Sequence, residues 1–204
     1  MNKSFIRLVL ALSAVAFFSG CAGKLRYPSY YTLSLPPAPD PPAQEGVRVS
    51  VAVREFRSPG YLRQGAIVYR TSPEELGFYN YHRWAADPRG FVTDAVSDRL
   101  RASGKFARVK PYDGHADVDY VVSGRLEKLE EIDYAGGVQV EVEIAAQMSS
   151  IATGEIVWTN DVREVGRVQQ RNVPSIVSAM SRTMDEAIAK LVVQIPDSPS
   201  LKRQ

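Results

Sequence analysis

Between Val138 and Met148 the chain alternates so regularly that one local structure satisfies it. Val138, Val140, Val142, Ile144 and Met148 fall on one side, and Gln139, Glu141, Glu143 and Gln147 on the other. A period of two belongs to a β-strand, whose successive side chains point to opposite faces. Val118 to Leu129 precedes this run across Ala135-Gly136-Gly137, and Glu155 to Val165 follows it after Ile151-Ala152-Thr153-Gly154. Such spacing predicts a three-stranded meander joined by glycine turns. It would be apolar on one face and charged on the other, and the apolar face must be covered.

Two segments have the period to cover it. Asp87-Pro88 opens a predicted helix, with Asp as N-cap and Pro at the first helical position. Phe91, Ala95, Val96, Arg99 and Leu100 give it one largely apolar face, and Gly104 stops it. Pro174 to Gln194 forms a second helix with Ile176, Met180, Met184, Ile188 and Leu191 near a four-residue spacing. Shorter strands are expected at Tyr30 to Leu35, Val47 to Arg54, Ala66 to Arg70, Phe78 to His82 and Phe106 to Val109. The expectation is an α+β fold: a single domain with a mixed, largely antiparallel sheet and two amphipathic helices packed on one face.

The N-terminus reads as an address. Lys3 and Arg7 precede an apolar run of eleven residues, Leu8 to Phe18. As a helix it would rise about 16 Å, against about 30 Å of bilayer hydrocarbon, so it is a secretory signal and not a span. The run ends in Phe18-Ser19-Gly20-Cys21, which resembles the lipobox of bacterial lipoproteins, with cleavage between Gly20 and Cys21 and acylation of Cys21. Cys21 is the only cysteine. Once acylated (palmitate and related chains), it leaves no thiol for a disulfide, a thiolate nucleophile or a metal. Ala22 follows in place of Asp, which by resemblance to Gram-negative sorting directs the chain to the outer membrane, facing the periplasm. The expected division is a signal over 1–20, a lipidated cysteine and tether over 21–29, a domain over 30–195, and a polar tail over 196–204. Within the domain, six of thirteen prolines lie between Pro28 and Pro42, and 36–46 reads as a stiff extended spacer.

Charge and motifs exclude more than they suggest. Lys and Arg total 25 against 23 acids. Lys3 and Arg7 are the excess, so the mature chain is neutral and nucleic acid is not an expected partner. Phosphate-binding loops, nucleophile elbows and H-E-x-x-H are missing. His82 and His115 are too far apart in sequence to suggest a metal site, and no cofactor is implied. Glu141 with Glu143, and Asp94 with Asp98, are carboxylate pairs of the kind that can run glycoside hydrolysis. Both lie opposite an apolar stripe and read as solvated faces. Glu127, Glu130, Glu131 and Asp133 read as a solubilising edge. No enzyme is expected.

The segment from Phe56 to Trp84 is the unusual one. Phe56, Tyr61, Tyr69, Phe78, Tyr79, Tyr81 and Trp84 are interleaved with Arg57, Arg63, Arg70 and Arg83. That mixture is enriched at protein interfaces. A core-filling role competes with it for Phe56, Tyr69 and Trp84. The run Pro59-Gly60-Tyr61-Leu62-Arg63, then Ala66-Ile67-Val68-Tyr69-Arg70, then Leu76-Gly77-Phe78-Tyr79-Asn80-Tyr81-His82-Arg83-Trp84-Ala85 carries a resemblance. With Cys21 and Tyr31-Thr32-Leu33 before it, the chain resembles the PqiC-like ABC-type transport auxiliary lipoprotein family over essentially its whole mature length. The resemblance implies a non-catalytic subunit on the outer membrane, serving an ABC transporter with an Mce-type partner. Such systems move lipids or other apolar molecules between inner and outer membranes. Tyr61, Leu62, Arg70, Phe78, Tyr79, His82, Arg83 and Trp84 are then the expected partner interface, and a ring of copies would suit a tubular partner. The competing readings are a periplasmic lipid-binding carrier, an envelope hydrolase and an outer-membrane assembly lipoprotein.

Overall fold

The computed structural model describes residues 26–40, 49–114, 117–134 and 136–197. The three long alternating runs form the meander. They are β6 (Tyr120–Ile132), β7 (Gln139–Ser150) and β8 (Ile156–Arg167), antiparallel along their whole lengths. Val140, Val142, Ile144 and Met148 are fully buried on one face. The five shorter strands complete one eight-stranded sheet: β1 (Ser29–Tyr31), β2 (Ser50–Val53), β3 (Ala66–Arg70), β4 (Leu76–Trp84) and β5 (Arg108–Pro111).

β6 organises the rest. On one edge it pairs with β7. The other edge takes β2 at Tyr120 to Val122 and β3 at Glu130 to Ile132, both parallel. β5 adds to β2, β4 adds to β3, and β1 adds to β4. Four of the seven pairings are parallel but short, and the long antiparallel ones carry most of the paired residues. The α+β expectation holds.

Two helices cover one face, α1 (Pro88–Ala102) and α2 (Val173–Gln194). The Asp87 carboxylate accepts from Arg89 N at 3.0 Å, as its N-cap role predicts. Asn172 caps α2 by accepting from Ser175 N at 2.9 Å. Val92, Val96 and Leu100 are the fully buried stripe of α1, while Phe91 and Ala95 are half-buried. All five apolar positions expected for α2 are buried. The helices are joined by an Arg99–Asp185 ion pair. Beyond α1, the Lys105 ammonium donates to the carbonyls of Val192, Val193 and Ile195 at 2.6–2.9 Å. This satisfies the orphan acceptors at the end of α2 and opposes its dipole.

The proline run lies against this layer. Leu33 is buried, Ser34 N donates to Ser181 Oγ at 3.1 Å, and Leu35 to Ala38 border a cleft of about 410 Å³ beside α1. Residues 41–48, where the expected spacer continues, fall outside the described residues, as do Gly20, Cys21, His115 and the tail from 198.

Close approach of α2 to the sheet depends on Gly166 of β8. A Cβ there would sit 2.0 Å from Thr183 Oγ1 and 3.1 Å from a Val140 methyl. Gly166→Ala is therefore expected to cost about 1–3 kcal/mol by overpacking, at roughly 2–4 °C of Tm per kcal/mol for a domain this size. A thermal melt checks this; an unchanged Tm would mean that helix and strand separate without cost.

Candidate partner surface

After β2 the chain stays on the sheet. Arg54 N donates to Val122 O at 2.8 Å, Arg57 N to Gly124 O at 2.9 Å, and Leu126 N to Arg57 O at 2.8 Å. Pro59 then leads into a 3-10 turn, Gly60–Gln64, that steps off the edge of β6. Gly65 ends the turn with φ 76°, a left-handed conformation that glycine adopts without strain, and β3 rejoins the same edge. In the β3–β4 hairpin, Val68 faces Phe78 and Ala66 faces Arg83. Two steps along β3 thus span five along β4, so β4 is bulged across 79–82. Bulges re-aim side chains and tend to lie beside functional surfaces. Arg83 Nη2 donates to Gln64 O and Trp84 N to Gly65 O, each at 2.7 Å, which binds the bulge to the turn.

Two consecutive carboxylates beneath this hairpin hold it. Glu130 and Glu131 of β6 point to opposite faces of the sheet and are both buried. On the helix-free face, Glu130 accepts from the Tyr61 hydroxyl at 2.5 Å, and the Arg70 guanidinium donates to both of its oxygens. Arg70 also donates to Pro73 O at 3.0 Å, closing the hairpin turn. Burial first, then the bond to Glu130, raises the Tyr61 hydroxyl far above its ordinary 10. The register sets Glu141 directly opposite Glu130. Like charges in that position repel, and Glu141 has cations of its own, Lys128 Nζ at 2.8 Å and Arg163 Nε at 2.7 Å. Lys128 also reaches Glu143 at 2.8 Å. Burial pushes Glu141 upward, but the bonds from Lys128 and Arg163 outweigh it and hold the carboxyl below its usual 4.5.

On the helix side, Glu131 accepts from the Tyr79 hydroxyl at 2.7 Å. Burial raises the Glu131 carboxyl above 4.5 and nearby Asp133 adds to the rise, while the Tyr79 bond and Arg171 pull it back only in part. Tyr79 sets its edge against Tyr69 (centroids 5.1 Å, 62°) and His82 (5.6 Å, 88°). The Tyr31 hydroxyl and His82 Nδ1 are hydrogen-bonded at 3.0 Å, which joins β1 to the row.

The structure therefore brings the expected interface residues into one neighbourhood. Tyr61, Arg70, Phe78, Tyr79, His82 and Arg83 are half-buried and Leu62 and Trp84 are buried, with Tyr61 and Arg70 on the helix-free face and Tyr79 and His82 on the other. Two expectations are corrected. The Glu141–Glu143 pair is not a solvated face, because Glu141 is buried between Lys128 and Arg163. The acidic cluster is not a solubilising edge, because Glu130 and Glu131 are the buried anchors of the hairpin. Asp94 and Asp98 are exposed. Leu126 and Leu129 are both fully buried though three residues apart, a spacing that puts side chains on opposite faces of a regular strand. The β6 register shift between Leu126 and Lys128 sets both on one face, opposite Ile144 and Val142.

This arrangement is built to hold a shape. Each buried carboxylate is saturated by a cation or a hydroxyl. Among the described residues, no group of three His, Cys, Asp or Glu could hold a metal ion, and no helix is long and apolar enough to cross a membrane.

The fold and the site together make a two-layer α+β domain with a clamped aromatic hairpin at one end of its sheet. The family model for the ABC-type transport auxiliary lipoprotein component matches residues 31–195, and the chain belongs to that family. Its role is accordingly that of an auxiliary lipoprotein component associated with a transport system. A comparison with curated proteins found no match. Among solved structures, a protein from Xanthomonas campestris is similar at 18% identity and TM-score 0.70, covering 80% of this chain and 92% of its own. An uncharacterised protein is similar at 15% identity and TM-score 0.64, with 83% and 99% covered. A hypothetical protein from Chlamydia trachomatis follows at 10% identity and TM-score 0.51, with 73% and 96% covered. At these identities the likeness is one of fold.

The two shifted carboxyls predict opposite pH responses. Glu131 is raised in the fold, so the folded chain holds its proton more tightly and loses stability as pH rises from 4.5 through the folded value. Glu141 is lowered, so its contribution is present above 4.5 and is lost as pH falls through the folded value. Stability measured by denaturant between pH 3 and 7 (roughly the range spanned by carboxyl titration) should show less acid sensitivity in Glu141→Gln and more in Glu131→Gln. Parallel changes in the two variants would contradict the assignment.

Proposed function

We propose that the chain is an outer-membrane lipoprotein facing the periplasm. On this reading it is cleaved between Gly20 and Cys21 and held by acyl chains on Cys21. It docks a subunit of an ABC/Mce-type transport system that moves lipids or other apolar molecules between the inner and outer membranes. The docking element is the hairpin with its turn, presenting Tyr61, Arg70 and Arg83 on the helix-free face and Tyr79 and His82 on the other, with Phe78 between them in sequence and Leu62 and Trp84 buried in the element itself. The clamp on Glu130 and Glu131 is the observation that carries this reading. It fixes an aromatic and arginine surface before any partner arrives, which reduces the ordering cost of binding. Tyr and Arg in such a setting are the residue types that dominate binding energy. β8 pairs only with β7 among the described residues, which leaves an edge where copies of the chain could meet in a ring.

The lipid-carrier reading is less well supported. The cleft beside α1 is of suitable size, about 410 Å³, but Asp94, Asp98 and Arg99 line it together with Leu33, Leu35 and Phe91. Three ionisable groups are a poor lining for an acyl chain.

Crosslinking and pull-down from intact envelopes tests the docking reading. Arg83→Ala removes a guanidinium without touching either buried carboxylate. The wild-type chain should recover an Mce-type or transporter subunit, and Arg83→Ala should lose most of it at equal protein level. Recovery of a β-barrel protein, or of lipid with no protein partner, would contradict the reading.

A further inference from the structure

Three tyrosines stand apart from the packed aromatic row. Tyr27 is 79% exposed, Tyr30 64% and Tyr81 40%. In the parallel β1–β4 pair, Tyr31 lies opposite buried Trp84 and Tyr30 opposite Arg83. Alternation along the strand therefore sends Tyr30 to the face away from Trp84, the helix-free one. The Arg26 guanidinium lies over the Tyr81 ring, 4.7 Å from its centroid, so the segment before β1 and the β4 bulge form one ledge.

We propose that this ledge of Tyr27, Tyr30, Tyr81 and Arg26 rests on the phospholipid headgroups of the membrane that holds Cys21. The proposal depends on the anchoring reading given above. Two observations choose a lipid surface over a protein partner. Tyr27 lies six residue steps from Cys21, a span of at most about 20–22 Å when fully extended, so the ledge is the part of the domain tied nearest to the acyl chains. Between Cys21 and Pro39 the only charged residues are Lys24 and Arg26, with no acid among them. Cations beside a membrane attachment point are drawn to anionic headgroups. Tyrosine, with an apolar ring and a polar tip, is enriched at the level where acyl chain gives way to headgroup. The ledge thus orients the domain on its anchor and sets the height at which the neighbouring Arg83 surface meets its partner.

The test uses the acylated mature chain in vesicles of phosphatidylethanolamine and phosphatidylglycerol. With Cys21 acylated, an introduced cysteine is the only free thiol. A spin label is placed at Thr32→Cys, exposed and on the Tyr30 side of the chain by alternation, or at Ser178→Cys on the exposed side of α2 as a control. Mass spectrometry of the mature chain first establishes acylation. The label at 32 should then be shielded several-fold from a water-soluble relaxant relative to 178, and Tyr27→Ser/Tyr30→Ser/Tyr81→Ser should abolish that shielding. An acylated, vesicle-bound chain with equal access at both positions would overturn the ledge and leave the anchor standing. Absence of acyl mass would overturn both. Shielding that appears only in whole envelopes, and not in vesicles, would assign the ledge to a protein partner and also defeat the proposal.

Discussion

The carboxylate of Glu130 is the point on which the candidate surface depends. It is buried, it faces another buried carboxylate across the β6–β7 ladder, and it lies on the sheet face without helices. An unpaired charge there would be untenable, because the desolvation cost of a buried ion amounts to several kcal/mol. Arg70 and Tyr61 satisfy it, one from the end of β3 and one from the turn that precedes it. Arg70 ends β3 at the hairpin turn, and Tyr61 belongs to a single 3-10 turn. A charge that must be paired thereby sets where the turn and the hairpin sit.

The same logic repeats outward from β6. Glu141 is held by Lys128 and Arg163, so an ionic row crosses β3, β6, β7 and β8 on the face that no helix covers. On the other face Glu131 takes the Tyr79 hydroxyl and positions the aromatic row that reaches Tyr31. Well-packed apolar residues could supply similar stability in place of such groups. Hydrogen bonds of fixed direction supply position, and for a surface that must present Tyr, Phe and Arg to another molecule, position is what matters.

The regular elements were legible in the sequence because their physics is local. Alternation over 138–148 can only be a half-buried strand, and Asp87-Pro88 can hardly be other than a helix start. The resemblance to the auxiliary lipoprotein family was carried by Tyr61-Leu62, Ile67 to Arg70 and Phe78 to Ala85, which proved to be the turn, the strand and the bulged strand of one hairpin. What could not be read was long-range. Glu130 looks like any acid in Leu129-Glu130-Glu131-Ile132 until the register sets it against Glu141, Arg70 and Tyr61. The β4 bulge is equally hidden, since it exists only relative to β3. The partners of Leu33 and Ser34 on the helix layer, just before the proline run, are long-range in the same way.

The most direct test of the account is amide hydrogen exchange on Glu130→Ala beside the wild-type chain. If Glu130 positions the hairpin, exchange should quicken across 59–84, while β7, β8 and α2 keep their protection. Unchanged protection across 59–84, or loss of protection spread evenly over the whole domain, would contradict the claim that this carboxylate holds the surface in place.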